Sequence, residues 1–541
     1  MKKSLFIFFI LLIFISCKDK KNYEFTNEIV PTPAFVEFGK NVLNVSDEIY
    51  IIFEDSSEDG KKITDYLTNF LSKNFSPKFI NEAQDKKTNI FISIDEELPA
   101  ETYSLDIDNN GVYLKSGDHR GLFWGIQTLR QLFPVEIEKS KLSENFVLPH
   151  VKIFDKPQFR YRGMHLDVCR HFFSVEDVKS YIDLLVMHKF NTFHFHLTDD
   201  QGWRVDIKAL PKLAEIASQR KETVIKKNTG IYDGIPYGGY FTHDEIRDIV
   251  KYAEDRFITV IPEIEMPGHA LAALSAYPEI GCVGGSYDAA TSWGVFDDIF
   301  CAGNEETFHF LEKVIDEICE LFPNSPYIHV GGDEAPKVRW EKCPKCQKRI
   351  KDEGLSNEHE LQSYFVQRME KYINSKGKRI IGWDEILEGG LAPNATVMSW
   401  RGEEGGIDAA RQGHDFIMNP TSHCYFDYYQ SEDIDNEPFA ICCLIDCEKI
   451  YYWDPVPNTL SKDERKHMLG VQANLWTEYI LDRAHIQYMV LPRMAVLSEV
   501  AWSKAPRDDY SEFQNRLQSL FKRYDALGYN YAKHELITEK N

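Results

Sequence analysis

The strongest chemical signal in the chain is the run Tyr327-Ile328-His329-Val330-Gly331-Gly332-Asp333-Glu334. An apolar strand leads into two glycines, which permit a tight turn and leave room for a ligand. Two adjacent carboxylates follow. Within a strand, neighbouring side chains point apart, but a turn beyond the strand end can aim both at one substrate. Two acids held close oppose each other's ionisation, so one keeps its proton while the other is charged. Glycoside cleavage by general acid catalysis needs that division of roles. Standing alone, the pair would read equally well as an N-cap with first-turn stabilisation.

The pair does not stand alone. Asp167, Asp199-Asp200, Glu263 with Glu265, Asp384-Glu385, Trp400-Arg401 and Trp476-Thr477-Glu478 each close an apolar run. Those runs read as strands over Tyr161–Cys169, Asn191–Leu197, Ile258–Ile264, Tyr327–Val330, Arg379–Trp383, Thr396–Ser399, Asp415–Met418 and Val471–Leu475. Between them lie helix-like stretches, among them Val175–His188, His243–Arg256, Glu305–Phe322, Glu358–Ser375 and Gly405–Gln412. Eight strands with mostly helical crossovers make an α/β fold, a (β/α)8 TIM barrel, with a long insert, Thr421–Lys466, before the last strand. The rival is a doubly wound open sheet, but no glycine-rich fingerprint opens a helix after any strand. In a barrel the C-terminal strand ends converge on one mouth, where catalytic sites lie. A ring of acids interleaved with Trp at that mouth describes a polyol pocket. His194 and His196 alternate on one side of the second strand and read as barrel interior, with no third ligand at metal spacing. Glu265 and His269 also lack metal context, since Pro267 between them opposes a helix.

Ahead of the barrel, residues 23–150 read as a smaller α+β domain, with helices over Lys61–Ser72 and Gly121–Phe133 and no catalytic cluster. The strands expected there are Ile49–Phe53, Asn89–Ile94, Tyr103–Ile107 and Gly111–Ser116. The barrel is assigned to 151–508, and 509–541 to a C-terminal helical segment packing on it. A 541-residue chain with 43% hydrophobic and 27% charged residues supports two such domains and excludes global disorder. The formal charge of −23 argues against wrapping nucleic acid or lying on an anionic bilayer, and says nothing about a neutral substrate.

The chain resembles the glycoside hydrolase family 20 β-N-acetylhexosaminidases over nearly its whole mature length. The resemblance is carried by His329-Val330-Gly331-Gly332-Asp333-Glu334, by Arg160-Tyr161-Arg162-Gly163-Met164-His165-Leu166-Asp167, and by His196-Leu197-Thr198-Asp199-Asp200-Gln201-Gly202-Trp203-Arg204. Pro262-Glu263-Ile264-Glu265-Met266-Pro267-Gly268-His269, Gly382-Trp383-Asp384-Glu385 and Gln472-Ala473-Asn474-Leu475-Trp476-Thr477-Glu478 complete it. It implies exo-acting removal of terminal β-linked N-acetylglucosamine or N-acetylgalactosamine, with retention. Glu334 is then the general acid and later base, and Asp333 orients the substrate's 2-acetamido group, whose oxygen attacks the anomeric carbon to give an oxazolinium. Tyr425 would hydrogen-bond the acetamido oxygen. Arg162 is expected to grip the 3- and 4-hydroxyls, with Asp427 and Glu478 accepting from distal hydroxyls. Trp383, Trp400 and Trp476 would wall the sugar, and Trp453 from the insert is a further candidate contact. Asp199 or Asp200, with His269, would form the relay behind the acids; the sequence leaves the choice open. This chemistry requires no metal or organic cofactor. Two other readings stay open: a retaining glycosidase with Glu385 or Glu478 as protein nucleophile, and a non-catalytic glycan-binding lipoprotein.

Lys2, Lys3 and the apolar run Leu5–Ile15 form a leader too short to span about 30 Å of hydrocarbon. Phe14-Ile15-Ser16-Cys17 resembles a bacterial lipobox, so residues 1–16 are expected to be a signal peptide, Cys17 the lipidated N-terminus and sole membrane attachment, and 17–22 a tether. The expected location is then the periplasm, or the outer membrane or cell surface, of a Gram-negative bacterium. Of 11 cysteines, ten remain after Cys17. Cys282 and Cys301 flank a glycine-rich segment and suggest a stapled loop. Cys343-Pro-Lys-Cys346 invites a zinc or redox reading, but without a second such pair a small loop disulfide or free thiols is the expectation. Cys442, Cys443 and Cys447 are expected in the core.

Overall fold

The computed structural model describes residues 23–139, 146–504 and 506–537. The leader, Cys17 and the tether lie outside the described residues. Among those described, no helix is long and apolar enough to cross a membrane.

The larger domain is a closed barrel of eight parallel strands. In chain order they are β1 (Tyr161–Asp167), β2 (Thr192–His196), β3 (Thr259–Glu263), β4 (Tyr327–His329), β5 (Arg379–Trp383), β6 (Thr396–Ser399), β7 (Phe416–Met418) and β8 (Met468–Ala473). Each pairs with its sequence neighbour, and β8 returns to β1 with Gly470 opposite Tyr161 and Gln472 opposite Gly163. β1 and β2 are buried along their whole length, as expected of strands covered on both faces. Helices Val175–Met187 and His243–Glu254 begin in capping boxes, Ser174 with Asp177 and Thr242 with Glu245, which fixes where each crossover starts. The last strand starts three residues earlier than its apolar run suggests, and it ends at Ala473, because Asn474 bridges Tyr425 instead.

The preceding domain is a seven-stranded sheet with helices Glu58–Leu71 and His119–Leu132. Three of its strands escape sequence reading. Phe35–Asn44 is mostly exposed and its register shifts between Phe38 and Val42, so it shows no clean alternation. Ser76–Phe79 is a short edge piece, and Val147–Asp155 runs across the boundary expected at residue 150. The sheet therefore ends at Asp155. Cys442 and Cys443, expected in the core, are disulfide-bonded to each other on a half-exposed turn, and only Cys447 is buried.

Buried charge joins the two domains. Arg162, near the start of β1, donates from Nη2 to Glu101 (2.6 Å) and from Nη1 and Nε to the carbonyls of Phe159 and Lys189. Its guanidinium lies over Trp502 and Trp124 at 4.9 and 5.6 Å. Lys189 reaches Tyr103 and Asp155 at 2.9 and 3.1 Å. The C-terminal helix Tyr510–Leu527 touches both domains, through Arg516 to Glu499 and Arg523 to Glu138.

Candidate active site

The site is built where β3 and β4 leave the barrel. After β4, Gly331 and Gly332 take φ of +64° and +96°, values open to glycine but strained for other residues. A Cβ on Gly331 would strike the Glu265 carboxylate, so this turn tolerates no side chain. The turn delivers Asp333, nearly buried, and Glu334, whose side chain remains 41% exposed. Glu334 holds φ at +43°, and His269, on the facing loop after β3, holds +47°. Both belong to the sparsely populated left-handed region, which costs on the order of 1–3 kcal/mol apiece and persists only under surrounding packing.

His269 joins the acids. Its Nε2 lies 3.6 Å from both Asp333 Oδ2 and Glu334 Oε2, and its Nδ1 lies 3.0 Å from Asp200 Oδ2 and 3.3 Å from Asp199 Oδ1. The two aspartates divide the work. Asp200 orients His269 and accepts the Leu271 backbone N–H at 3.0 Å. Asp199 pairs with Arg170 at 2.8 Å and His196 at 3.0 Å. Although burial opposes it, the charge of Asp199 keeps His269 well above its ordinary pKa and cationic. Burial, with Glu263 and Glu334 nearby, pushes Asp333 up to about 6, while the His269 imidazolium 3.6 Å away lowers Glu334.

Beneath the mouth, Glu263 accepts hydrogen bonds from His196 and from Trp383 Nε1 (2.8 Å), and lies 2.8 Å from His329 Nδ1 and 3.1 Å from His194 Nε2. The paired imidazoles outweigh burial and keep this carboxylate well below its usual range. Burial, together with Asp333 and Glu263, raises Glu265 well above its usual value, so it sits neutral under the glycine turn. His194 and His196 are thus interior partners of Glu263.

The remaining walls come from later strand ends. Trp383 and Trp476 lie 5.9 Å apart, and Tyr425 stacks on Trp400 at 6.2 Å. Trp400 Nε1 donates to Glu385 at 2.9 Å, while burial, Asp333 and Asp384 raise that acid to about 8. Asp427 is buried with Oδ1 unpartnered, and burial with Glu478 nearby raises it well above its ordinary value. Burial also raises Glu478, which Arg170 opposes.

Two expected contacts fall elsewhere. Arg162 does not reach the mouth: it occupies the opposite end of β1, sealed against Glu101 and two indoles. The cation at the mouth is Arg170, just beyond the C-terminal end of β1, bonded to Asp167 (3.3 Å), Asp199 (2.8 Å) and Gln201 (3.1 Å) and lying 4.9 Å over Trp476. Its signal was Asp167-Val168-Cys169-Arg170, a cation after the strand end and not before it. Trp453 is buried, lies parallel on His423 at 5.3 Å and packs in the core.

Comparison with known proteins agrees with this geometry. Residues 159–505 match the glycosyl hydrolase family 20 catalytic domain, and residues 26–156 match domain 2 of the same family. The chain belongs to glycosyl hydrolase family 20. It is 44% identical to a β-hexosaminidase of Porphyromonas gingivalis across 96% of this chain and 67% of that protein. It also superposes on the exo-β-N-acetylglucosaminidase of Vibrio harveyi in complex with N-acetylglucosamine, with a TM-score of 0.81 at 30% identity, covering 94% of this chain and 78% of the other. The Bacteroides fragilis β-N-acetylhexosaminidase gives 0.79 at 30% identity, with 95% and 99% covered.

The two arginines make a paired test. Arg162→Ala is expected to cost about 3–5 kcal/mol of stability, because Glu101 stays buried without its partner, with kcat/KM retained by the folded fraction. Arg170→Ala is expected to lower kcat/KM by about 10²–10³-fold, on the order of 3–4 kcal/mol, with a smaller shift in urea midpoint. Urea unfolding and steady-state kinetics check both, and the reverse pattern would restore Arg162 to the site.

Proposed function

We propose that the protein is an exo-acting β-N-acetylhexosaminidase that removes terminal N-acetylglucosamine or N-acetylgalactosamine with retention, using the substrate's own acetamido group as nucleophile. The observation carrying this reading is the Asp333–Glu334 pair on His269. One acid is buried with Oδ1 unpartnered, and the other is partly exposed toward the entrance.

In this reading Asp333 accepts the acetamido N–H and offsets the positive charge that grows there as the carbonyl oxygen closes on the anomeric carbon. Glu334 protonates the departing oxygen, then takes a proton from water as the oxazolinium opens. A nucleophile built into the substrate avoids much of the entropy loss of recruiting one. Tyr425 fits as partner to the acetamido oxygen, Asp427, Glu478 and Arg170 as hydroxyl partners, and Trp383, Trp400 and Trp476 as walls whose faces accept pyranose C–H groups. A protein nucleophile is disfavoured, since burial shifts both candidates toward the protonated form, Glu385 to about 8 and Glu478 upward. For location, we propose a lipid-anchored periplasmic or outer-membrane protein; labelling with a fatty-acid analogue should mark the wild type and not Cys17→Ser.

The free pair holds its proton on Asp333, whereas catalysis needs it on Glu334. Binding an amide N–H favours the Asp333 anion and so moves the proton across. The competent free form carries one proton in total. That proton is lost as pH rises through about 6, and a second enters Glu334 only below its ordinary value of 4.5. A bell-shaped kcat/KM with its basic limb near pH 6 is therefore expected on an aryl N-acetyl-β-glucosaminide, with little action on the matching glucoside. Glu334→Gln should lower kcat by about 10²–10⁴-fold while leaving the fold intact. Near-normal hydrolysis by that variant would remove the acid assignment.

A further inference from the structure

Beside the catalytic loops, four cysteines distant in sequence meet. Cys282 and Cys301 lie in the long connection after β3, Cys343 follows the helix Val338–Lys342, and Cys346 stands in the first turn of Pro344–Glu353. This is neither the stapled loop nor the local Cys343–Cys346 bridge that the sequence suggested. All four are unbonded thiols whose sulfurs lie within 4.8 Å of one another. Cys282 to Cys346 measures 3.8 Å, Cys301 to Cys343 3.7 Å and Cys301 to Cys346 3.6 Å.

Those separations discriminate between chemistries. Bonded sulfurs stand about 2.0 Å apart. Thiolates at about 2.3 Å from a tetrahedral zinc ion stand roughly 3.8 Å from one another. We propose that Cys282, Cys301, Cys343 and Cys346 hold one structural Zn²⁺ as a closed four-thiolate site.

Three further features suit such a site. Cys301, Cys343 and Cys346 are buried and Cys282 is partly buried, and four thiolates fill a tetrahedral shell without the open position a catalytic zinc keeps. Gly303 approaches the Lys345–Cys346 backbone so closely that a Cβ there would collide with it, so the two segments are packed into a knot. Cys343 caps a ten-residue helix with its first-turn N–H groups free of a side-chain cap, a setting that favours thiolates. Metal entry would replace up to four thiol protons, which leave to solvent.

The knot binds the two loops that carry the acids. Phe300, next to Cys301, donates its N–H to the Pro267 carbonyl at 2.9 Å, two residues from His269. Its own carbonyl accepts from Trp340 Nε1 at 2.9 Å, in the segment leading from Glu334 to Cys343. The ion would thereby help hold the left-handed backbone of His269 and Glu334.

The test uses the wild-type chain, purified without chelator. Elemental analysis should give one zinc per chain, and denaturation in iodoacetamide without reductant should label all four cysteines. Chelation under denaturing conditions and refolding without zinc should lower the melting temperature and kcat, and added Zn²⁺ should restore both. Cys346→Ser should lose the stoichiometric zinc even if it folds poorly. Disulfide-linked peptides among these cysteines would overturn the proposal. So would four free thiols that take up no added zinc, or zinc retained by Cys346→Ser.

Discussion

One buried imidazolium governs the arrangement of the mouth. His269 faces Asp199 and Asp200 through one nitrogen and Asp333 and Glu334 through the other. Four carboxylates around one cation cannot all be charged in a poorly solvated site, so a proton must remain among them. Arg170 relieves the side nearer Asp199 and lowers it despite burial. Burial, with Glu263 and Glu334 nearby, raises Asp333 to about 6 and so holds a proton on the Asp333–Glu334 side, where the chemistry needs it.

The barrel supplies the rigidity that this balance requires. Glu263, tied to His196, His329 and Trp383, forms a polar floor within an apolar shell, and breaking any one bond there would leave a buried charge short of a partner. Above that floor the glycine turn, the Glu265 carboxyl beneath it and the facing His269 loop interlock. The sheet domain contributes from the other end. Its Glu101 neutralises Arg162 where β1 begins, far from the chemistry but on the strand that presents Asp167 and leads to Arg170.

Sequence made the local parts of this legible. Asp333-Glu334 and the acids ending each strand are contiguous motifs, and their strand-end positions suffice to gather them. Arg162 and Arg170 show where that reasoning slips, because one opens β1 and the other follows it, and only the end rule separates them. The choice between Asp199 and Asp200 depends on which carboxylate meets an imidazole from another loop, which spacing cannot show. The cysteine cluster draws on residues from 282 to 346 across two connections, so the Cys343–Cys346 pair shows no second such pair along the chain. Phe35–Asn44 was hidden by its exposed, bulged edge.

The central claim is that the sugar's amide performs the attack, and its nucleophilicity can be tuned without touching the protein. Aryl β-glucosaminides bearing acetyl, monofluoroacetyl, difluoroacetyl and trifluoroacetyl groups differ little in size but greatly in carbonyl basicity. A steep, progressive fall in kcat/KM along that series is the expected result. Rates independent of fluorination would contradict it and return the nucleophile to a protein carboxylate.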